Sequence, residues 1–350
     1  LPLGKAIKAI IEGIPNPLPP AFMSVTDQFL GDSARFVQYK ATRKTARRTQ
    51  YGAPAIRREL LPIEERDLKL IHSFEEKHIS VLTYQRLREY ENYNVQRMGQ
   101  MELERQMVEF ARIFANLRIA ATQQVLANAA FFFDAAGNLL PTSSGAVESI
   151  SYGISASHQN QLAGIIAASW ATATTDIPLH LRQIKKQARR DTGYELKYAF
   201  YGENLPSYLT ANNFVKDYLS RNYPFAQKEF LENAEIPQGL FGFTWVPVYQ
   251  TFFEDNASVN QSIFGVDAVT FTPEPNAEWW QQAEGSYQVP TSYNPVQDLA
   301  SGANSFSTVF GPFAWARPID NPPTATMFQG DTFLPHLRVP DAIFQADVTP

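Results

Sequence analysis

Leu103, Met107, Phe110, Phe114, Leu117, Ala121 and Val125 step along the chain by three or four positions, a single apolar stripe over roughly seven helical turns. The pattern stays helical from about Tyr84 to Ala130, and the seven turns of the stripe predict a long strut, about 40 Å at 1.5 Å per residue. It runs into AAFFFDAAGNLLPTSSG, where Asp134–Asn138 reads as a turn between two short apolar strands, and SISYGISAS continues as a strand. Farther on, DIPLHLRQIKKQARRDTG predicts a helix with Asp176 as N-cap, Pro178 in the first turn and Gly193 as the stop. YELKYAFYG alternates as a strand, and NLPSYLTANNFVKDYLSR starts another helix. GLFGFTWVPVY and SIFGVDAVTFTP read as strands from their aromatic and β-branched content. The last 65 residues, rich in Pro, Asn and aromatics, predict short strands only.

The N-terminal third is less regular. Ile7, Ile10, Ile11 and Ile14 sit at helical spacing, and PNPLPPAF then ends any helix, because its prolines remove donors and force extended backbone. An arm reaching away from the body and a helix packed on its own core both fit this pattern. RFVQYKAT and KLIHSFEEKHISVL alternate like strands, with the Pro- and Gly-containing YGAPAIRRELLPIEE between them. The expectation is a long two-stranded excursion with little apolar content of its own. Such a ribbon is marginal in water, so its packing must come from outside it.

Composition narrows the class. With 350 residues, 44% hydrophobic and 19% charged, the chain is globular and able to bury a sizeable core. Aromatics reach 13%, and Pro outnumbers Gly at 24 to 18, as expected for ordered arms and loops pinned by rings. The absence of Cys excludes disulfides and thiolate metal sites. No apolar run approaches the roughly 18 residues of a membrane span, and no signal peptide is visible. The formal net charge of -5 is unevenly spread: residues 1–192 hold 24 basic and 18 acidic side chains, residues 193–350 only 6 basic against 17 acidic. Such asymmetry fits a nucleic-acid partner, or one half of a subunit meeting the opposite half of its neighbour.

Signatures of catalysis and cofactor binding are missing: no phosphate loop, dinucleotide fingerprint, two-His zinc helix or nucleophile elbow occurs. His72, His78, His158, His180 and His336 are scattered, and His72 and His78 are too far apart along a strand for one metal. Glu64–Glu65 and Glu75–Glu76 alternate with Arg66 and Lys77, as on a solvated or interfacial face. The reading is a non-enzymatic chain with no cofactor and no metal. What stands out is residues 34–58, ARFVQYKATRKTARRTQYGAPAIRR. Arg35, Lys40, Arg43, Lys44, Arg47, Arg48, Arg57 and Arg58 occur there without one acid. Nucleic acid is one reading, with cations on phosphates and Phe36, Tyr39 and Tyr51 on bases. A solvated loop is a second, and a strap on an acidic neighbour a third. Glu59–Glu104 carries ten acids against six bases, so the chain contains its own counter-surface, which favours self-assembly.

One family likeness rests on particular residues. ELERQMVEFARIFANLRIAATQQVLANAAFFFDAAGNLLP, then SYGISAS, then Trp170 before TTDIPLHLRQIKKQ, follow the order of a spine helix, a hairpin, a strand and a Trp-led helix. YAFYGENLPSYLTANNFVKDYLS and the closing FLPHLRVPDAIFQADV continue the match over most of the chain. The sequence resembles the lambda-type phage capsid protein E family, major capsid proteins of tailed phages with the HK97-like fold. The resemblance implies an α+β chain with an N-terminal arm (1–32) and an extended β-hairpin E-loop (33–81). It also implies a P-domain (82–175) holding the spine helix (about 97–130) and a β-hairpin, an A-domain (176–265), and a return through A- and P-domain strands (266–350). Leu103, Met107, Phe110, Phe114 and Leu117 would form the spine core, and the eight cations above the intersubunit contacts of the E-loop. The family assembles hexamers and pentamers into an icosahedral shell around double-stranded DNA. That implies a virion protein assembled in the host cytoplasm, with decoration or cement protein, portal and scaffold as further partners and no membrane. An encapsulin-like compartment shell, or a nucleic-acid-binding protein using residues 35–58, is the alternative.

Overall fold

The fold comes from a computed structural model that describes residues 13–31, 33–39, 63–88, 93–162, 164–222, 230, 235–249, 251–252, 261–290, 306–320 and 323–349. The arm helix expected around Ile7–Ile14 lies largely outside them. Residues 13–19 lead through Pro15, Pro17 and Pro19 into one helical turn, Pro20–Met23, and then β1 (Asp27–Phe29). The arm does not stand away from the body: Leu18 and Phe22 are buried in the main core. Phe22 meets Tyr198, Phe200, Trp279 and Trp280 edge-on at centroid distances of 5.8, 5.3, 6.0 and 5.4 Å. Its carbonyl accepts from Trp280 Nε1 and Gln282 Nε2, each at 3.0 Å. Burying a ring of this kind stabilises by about 1.5–3 kcal/mol, which a proline-stiffened strap obtains at low entropic cost.

The ribbon is built from β2 (Ser33–Tyr39) and β3 (Ile63–Lys69), antiparallel with Ser33 opposite Lys69 and Tyr39 opposite Ile63. The expected E-loop, 33–81, divides at Leu70. Beyond it, β4 (Ile71–Ile79) leaves the ribbon and pairs with a strand near the C-terminus, so only 33–69 belongs to the excursion. The helix expected over 84–130 is two helices, Val81–Arg88 and Tyr93–Asn128, the second of 36 residues and about 54 Å long. After it come β5 (Ala130–Phe133) and β6 (Glu148–Ser151), which pair with each other. The turn at Asp134 forms as read, its carboxylate accepting from the Ala136 and Asn138 amides, but Leu139 makes only a single bridge to Phe133.

The helix Ile177–Asp191 follows its sequence signals closely. Asp176 accepts from the Leu179 amide, Ile177, Leu181, Ile184 and Ala188 form the buried stripe, and Gly193 takes φ +82° beyond the end. It covers a sheet begun by β7 (Leu196–Tyr201). The next helix is broken into Leu205–Ala211 and Asn213–Asn222. Asn212 is extended at the break, donating to the Thr175 carbonyl and accepting from the Val215 amide, so a tertiary bond overrides the local pattern. β8 (Thr244–Pro247), the two-residue pair β9 (Thr251–Phe252) and β10 (Gln261–Ser262), and β11 (Ala268–Pro273) follow.

The C-terminal strands are not short. β12 (Trp280–Pro290), β13 (Phe306–Phe310), β14 (Phe313–Asp320) and β15 (Pro323–Leu337) precede the small β16 (Phe344–Asp347), and β15 alone runs for 15 residues. Gly330 and Pro335 read as breakers in isolation, yet β15 is paired on both edges and its buried Asp331 holds Arg118. The main sheet is ordered β1-β12-β15-β14, with β4 on the other edge of β15 and β13 on β12. The long helix lies on one of its faces. A second sheet, β16-β11-β7-β8, carries the core around Trp170, Leu181, Trp245 and Phe271. The two bodies meet where Thr270 and Gln345 both donate to the Leu126 carbonyl of the long helix.

Candidate assembly surface

The ribbon is the most exposed described element. Of the residues whose exposure is defined on β2, only Phe36 and Gln38 are buried, so one side of its base grips the body and the rest faces water. Arg35 sits within the ribbon, with Nε 3.2 Å from Asp67 and Nη1 3.8 Å from Glu65 across the strand pair. Its side chain is 68% exposed, so this pair contributes about 0.2–1 kcal/mol and leaves the guanidinium accessible. Lys40, Arg43, Lys44, Arg47, Arg48, Arg57 and Arg58 lie outside the described residues.

The grip at the ribbon's base is specific. Phe36 packs on the His336 ring at 4.1 Å and edge-on against Phe29 at 5.2 Å. Gln38 Nε2 donates to the Leu337 carbonyl and Arg66 Nη1 to the Ser151 carbonyl at 2.7 Å. Tyr152 closes the other side of His336 at 5.3 Å and donates to the Pro335 carbonyl. Burial, together with the Arg338 and Arg66 charges, pushes the His336 pKa down to about 3, so the ring is neutral. Packing for the ribbon's base therefore comes from outside the ribbon, and from the body of the same chain.

The spine residues divide between two surfaces. Phe110 and Phe114 are buried with Met327, and Met107 packs half-buried beside them. Leu117 packs half-buried against the main core, and the side chain of Leu103 lies outside the described set. One turn on, Arg118 reaches into the sheet, pairing with both oxygens of Asp331 and, through Nη2 at 3.1 Å, with Glu284. Both carboxylates are essentially inaccessible. Burial opposes the guanidinium's charge, but Asp331 and Glu284 outweigh it and hold its pKa above the usual value. Gly311, at φ +68°, lies against the Glu284 carboxylate where a Cβ would stand.

The sheet's other face carries a row of rings that the sequence reading missed. Tyr287 and Phe313 stack at 4.1 Å and 4°, Trp315 and Phe328 at 5.2 Å and 19°, and Phe74 joins Trp315 at 5.4 Å. His72 and His78 flank the row, bonded to Thr332 and Thr326. Phe313 and Trp315, two positions apart, were the signal in the sequence for a common face. Two described acids of the long helix are engaged within the chain: Glu109 with Lys77 at 3.5 Å and Glu102 with Arg105 and Gln106. Among the described residues, no three His, Asp or Glu side chains group as metal ligands, and no helix is long and apolar enough to cross a membrane.

A family model for phage major capsid protein E matches residues 3–300. Among solved structures, a candidate capsid protein of a prophage in E. coli CFT073 superposes with TM-score 0.55 at 11% identity, covering 99% of each chain. A phage-related protein from Bordetella bronchiseptica RB50 gives TM-score 0.52 at 10% identity, covering 98% of this chain and 96% of that one. The SrpI encapsulin of Synechococcus elongatus PCC 7942 gives 0.43 at 9% identity over 95% of this chain and 88% of that one, too distant to carry weight. No curated protein sequence matches the chain significantly.

Proposed function

The chain belongs to the phage major capsid protein E family and has the HK97-like capsid fold, and from that premise we propose how one subunit engages the next. It is a shell-forming structural protein of the virion, for which self-association is the function. Residues 33–69 act as the E-loop, a ribbon laid over the neighbouring subunit. Residues 82–175 with β12, β14 and β15 form the P-domain wall. The A-domain, about 176–265 completed by β11 and β16, crowds the axis of hexamers and pentamers. The N-terminal arm, 1–32, serves as a strap. Double-stranded DNA fills the shell, assembled in the host cytoplasm with portal, scaffold and decoration protein as further partners, and the subunit itself needs no catalytic group.

The observation that supports this reading is the ribbon's imbalance. Its base is gripped by Phe36, Gln38 and Arg66, while Arg35, Glu65, Asp67 and Lys69 are exposed on a strand pair with little apolar surface of its own. Arg35, Lys40, Arg43, Lys44, Arg47, Arg48, Arg57 and Arg58 would meet acids of the neighbour. Each exposed contact contributes only about 0.2–1 kcal/mol, so the strap works by summation over many copies. Replacing Arg47 and Arg48 together by Glu tests it: size-exclusion chromatography and negative-stain microscopy should show folded subunits or capsomers and no shells. Normal shells from the double variant would sink the strap.

A further inference from the structure

We infer that His336 is a positioning residue for the ribbon: as a neutral ring it holds the base of β2 and β3 on the body, and a proton on it sets that base free. The ring is wholly buried, and among the described residues neither ring nitrogen has a hydrogen-bond partner. A polar ring deprived of partners in a core costs free energy that an apolar ring would not, so the site is tuned against charge and not merely filled. The ring is held between Phe36, which belongs to the ribbon, and Tyr152, which belongs to the body. The charges that act on it come from Arg66 on β3 and Arg338 just past β15, both cationic, and the Tyr152 hydroxyl is kept neutral by burial. An imidazolium there would feel the charge of two guanidinium groups in a site closed to bulk solvent.

The connections around the ribbon allow it to swing. Leu70 alone separates β3 from β4, and Gly31, at φ +100°, precedes β2. β4 stays paired with β15, and β1 with β12, so the ribbon can leave its seat while the sheet remains whole. Once Phe36 lifts away, His336 meets water and regains an ordinary pKa near 6.5. The seated ribbon resists the proton and the released ribbon accepts it. Each pH unit below about 6.5 therefore favours release roughly tenfold, and the effect levels off near pH 3, where the seated form is protonated too.

The inference stands apart from where the ribbon's tip goes in a shell, because it is tested on the full chain kept unassembled at low concentration. Amide hydrogen exchange, corrected for intrinsic rates, is followed from pH 7.5 to 4.5. Protection of β2 and β3 should fall about 50-fold between pH 6.5 and 4.5, with the amides of β7 unaffected. In His336→Phe, which keeps a ring against Phe36 but cannot charge, ribbon protection should stay level over the same range. Should that variant fail to fold, the wild-type slope decides. Ribbon amides that hold their protection, or lose it in step with β7, overturn the inference. So does an equal loss in His336→Phe.

Discussion

Replacing Arg118 by Met keeps most of the aliphatic stem and removes the guanidinium. Asp331 and Glu284, 0% and 1% exposed, then face one another in the core without the cation that holds both. Breaking a buried ion pair by deleting one partner costs about 3–5 kcal/mol, against a total stability on the order of 5–15 kcal/mol for a folded domain. The lost cation–π contact with Phe333, 5.0 Å from its centroid, is a smaller part of that. Urea unfolding of unassembled subunits is the assay, followed by tryptophan fluorescence, since Trp170, Trp245, Trp279 and Trp280 are all fully buried reporters. The midpoint should fall by about 1 M or more. A triple variant, Arg118→Met with Asp331→Leu and Glu284→Met, removes every charge and should recover most of the loss. If Arg118→Met stays within about 1 kcal/mol of wild type, or the triple variant is no better than the single one, the cluster does not act through charge.

Phe22→Ala should cost about 3–5 kcal/mol and lower the thermal midpoint. Because the ring touches β7 and β12 together, hydrogen exchange should rise in both sheets. Gly311→Ala should destabilise by about 2 kcal/mol or more in thermal unfolding, from its left-handed backbone and from the Glu284 carboxylate beside it. Gly137→Ala, also at positive φ but with open space around it, should lose only the backbone share, about 1–2 kcal/mol.

Local signals carried well from sequence to structure. The stripe through Phe110, Phe114 and Val125 marked the long helix, Asp176 and Gly193 its shorter counterpart, and Asp134 its turn, because each depends on residues a few positions apart. Features made by distant residues were not legible. Nothing near Arg118 announces Asp331 or Glu284, and Asn212 breaks a helix through a bond to Thr175. The length of β15 was hidden because its polar positions, Gln329, Asp331, Thr332 and His336, are buried, so the strand lacks the alternation of a half-exposed one. The prolines of the arm show stiffness but not direction, so an outward arm and one packed on its own body fit the sequence equally, and the burial of Phe22 decides for the body. The family resemblance supplied the architecture that periodicity alone did not.

The pairing of β4 with β15 joins His72 to Thr332, 260 positions away, and β1 likewise waits for β12. While the ribosome is still translating, the early strands have nowhere to dock, and closing such distant contacts is slow in any case. The ribbon's base cannot be seated on the body until β15 and His336 have been synthesised.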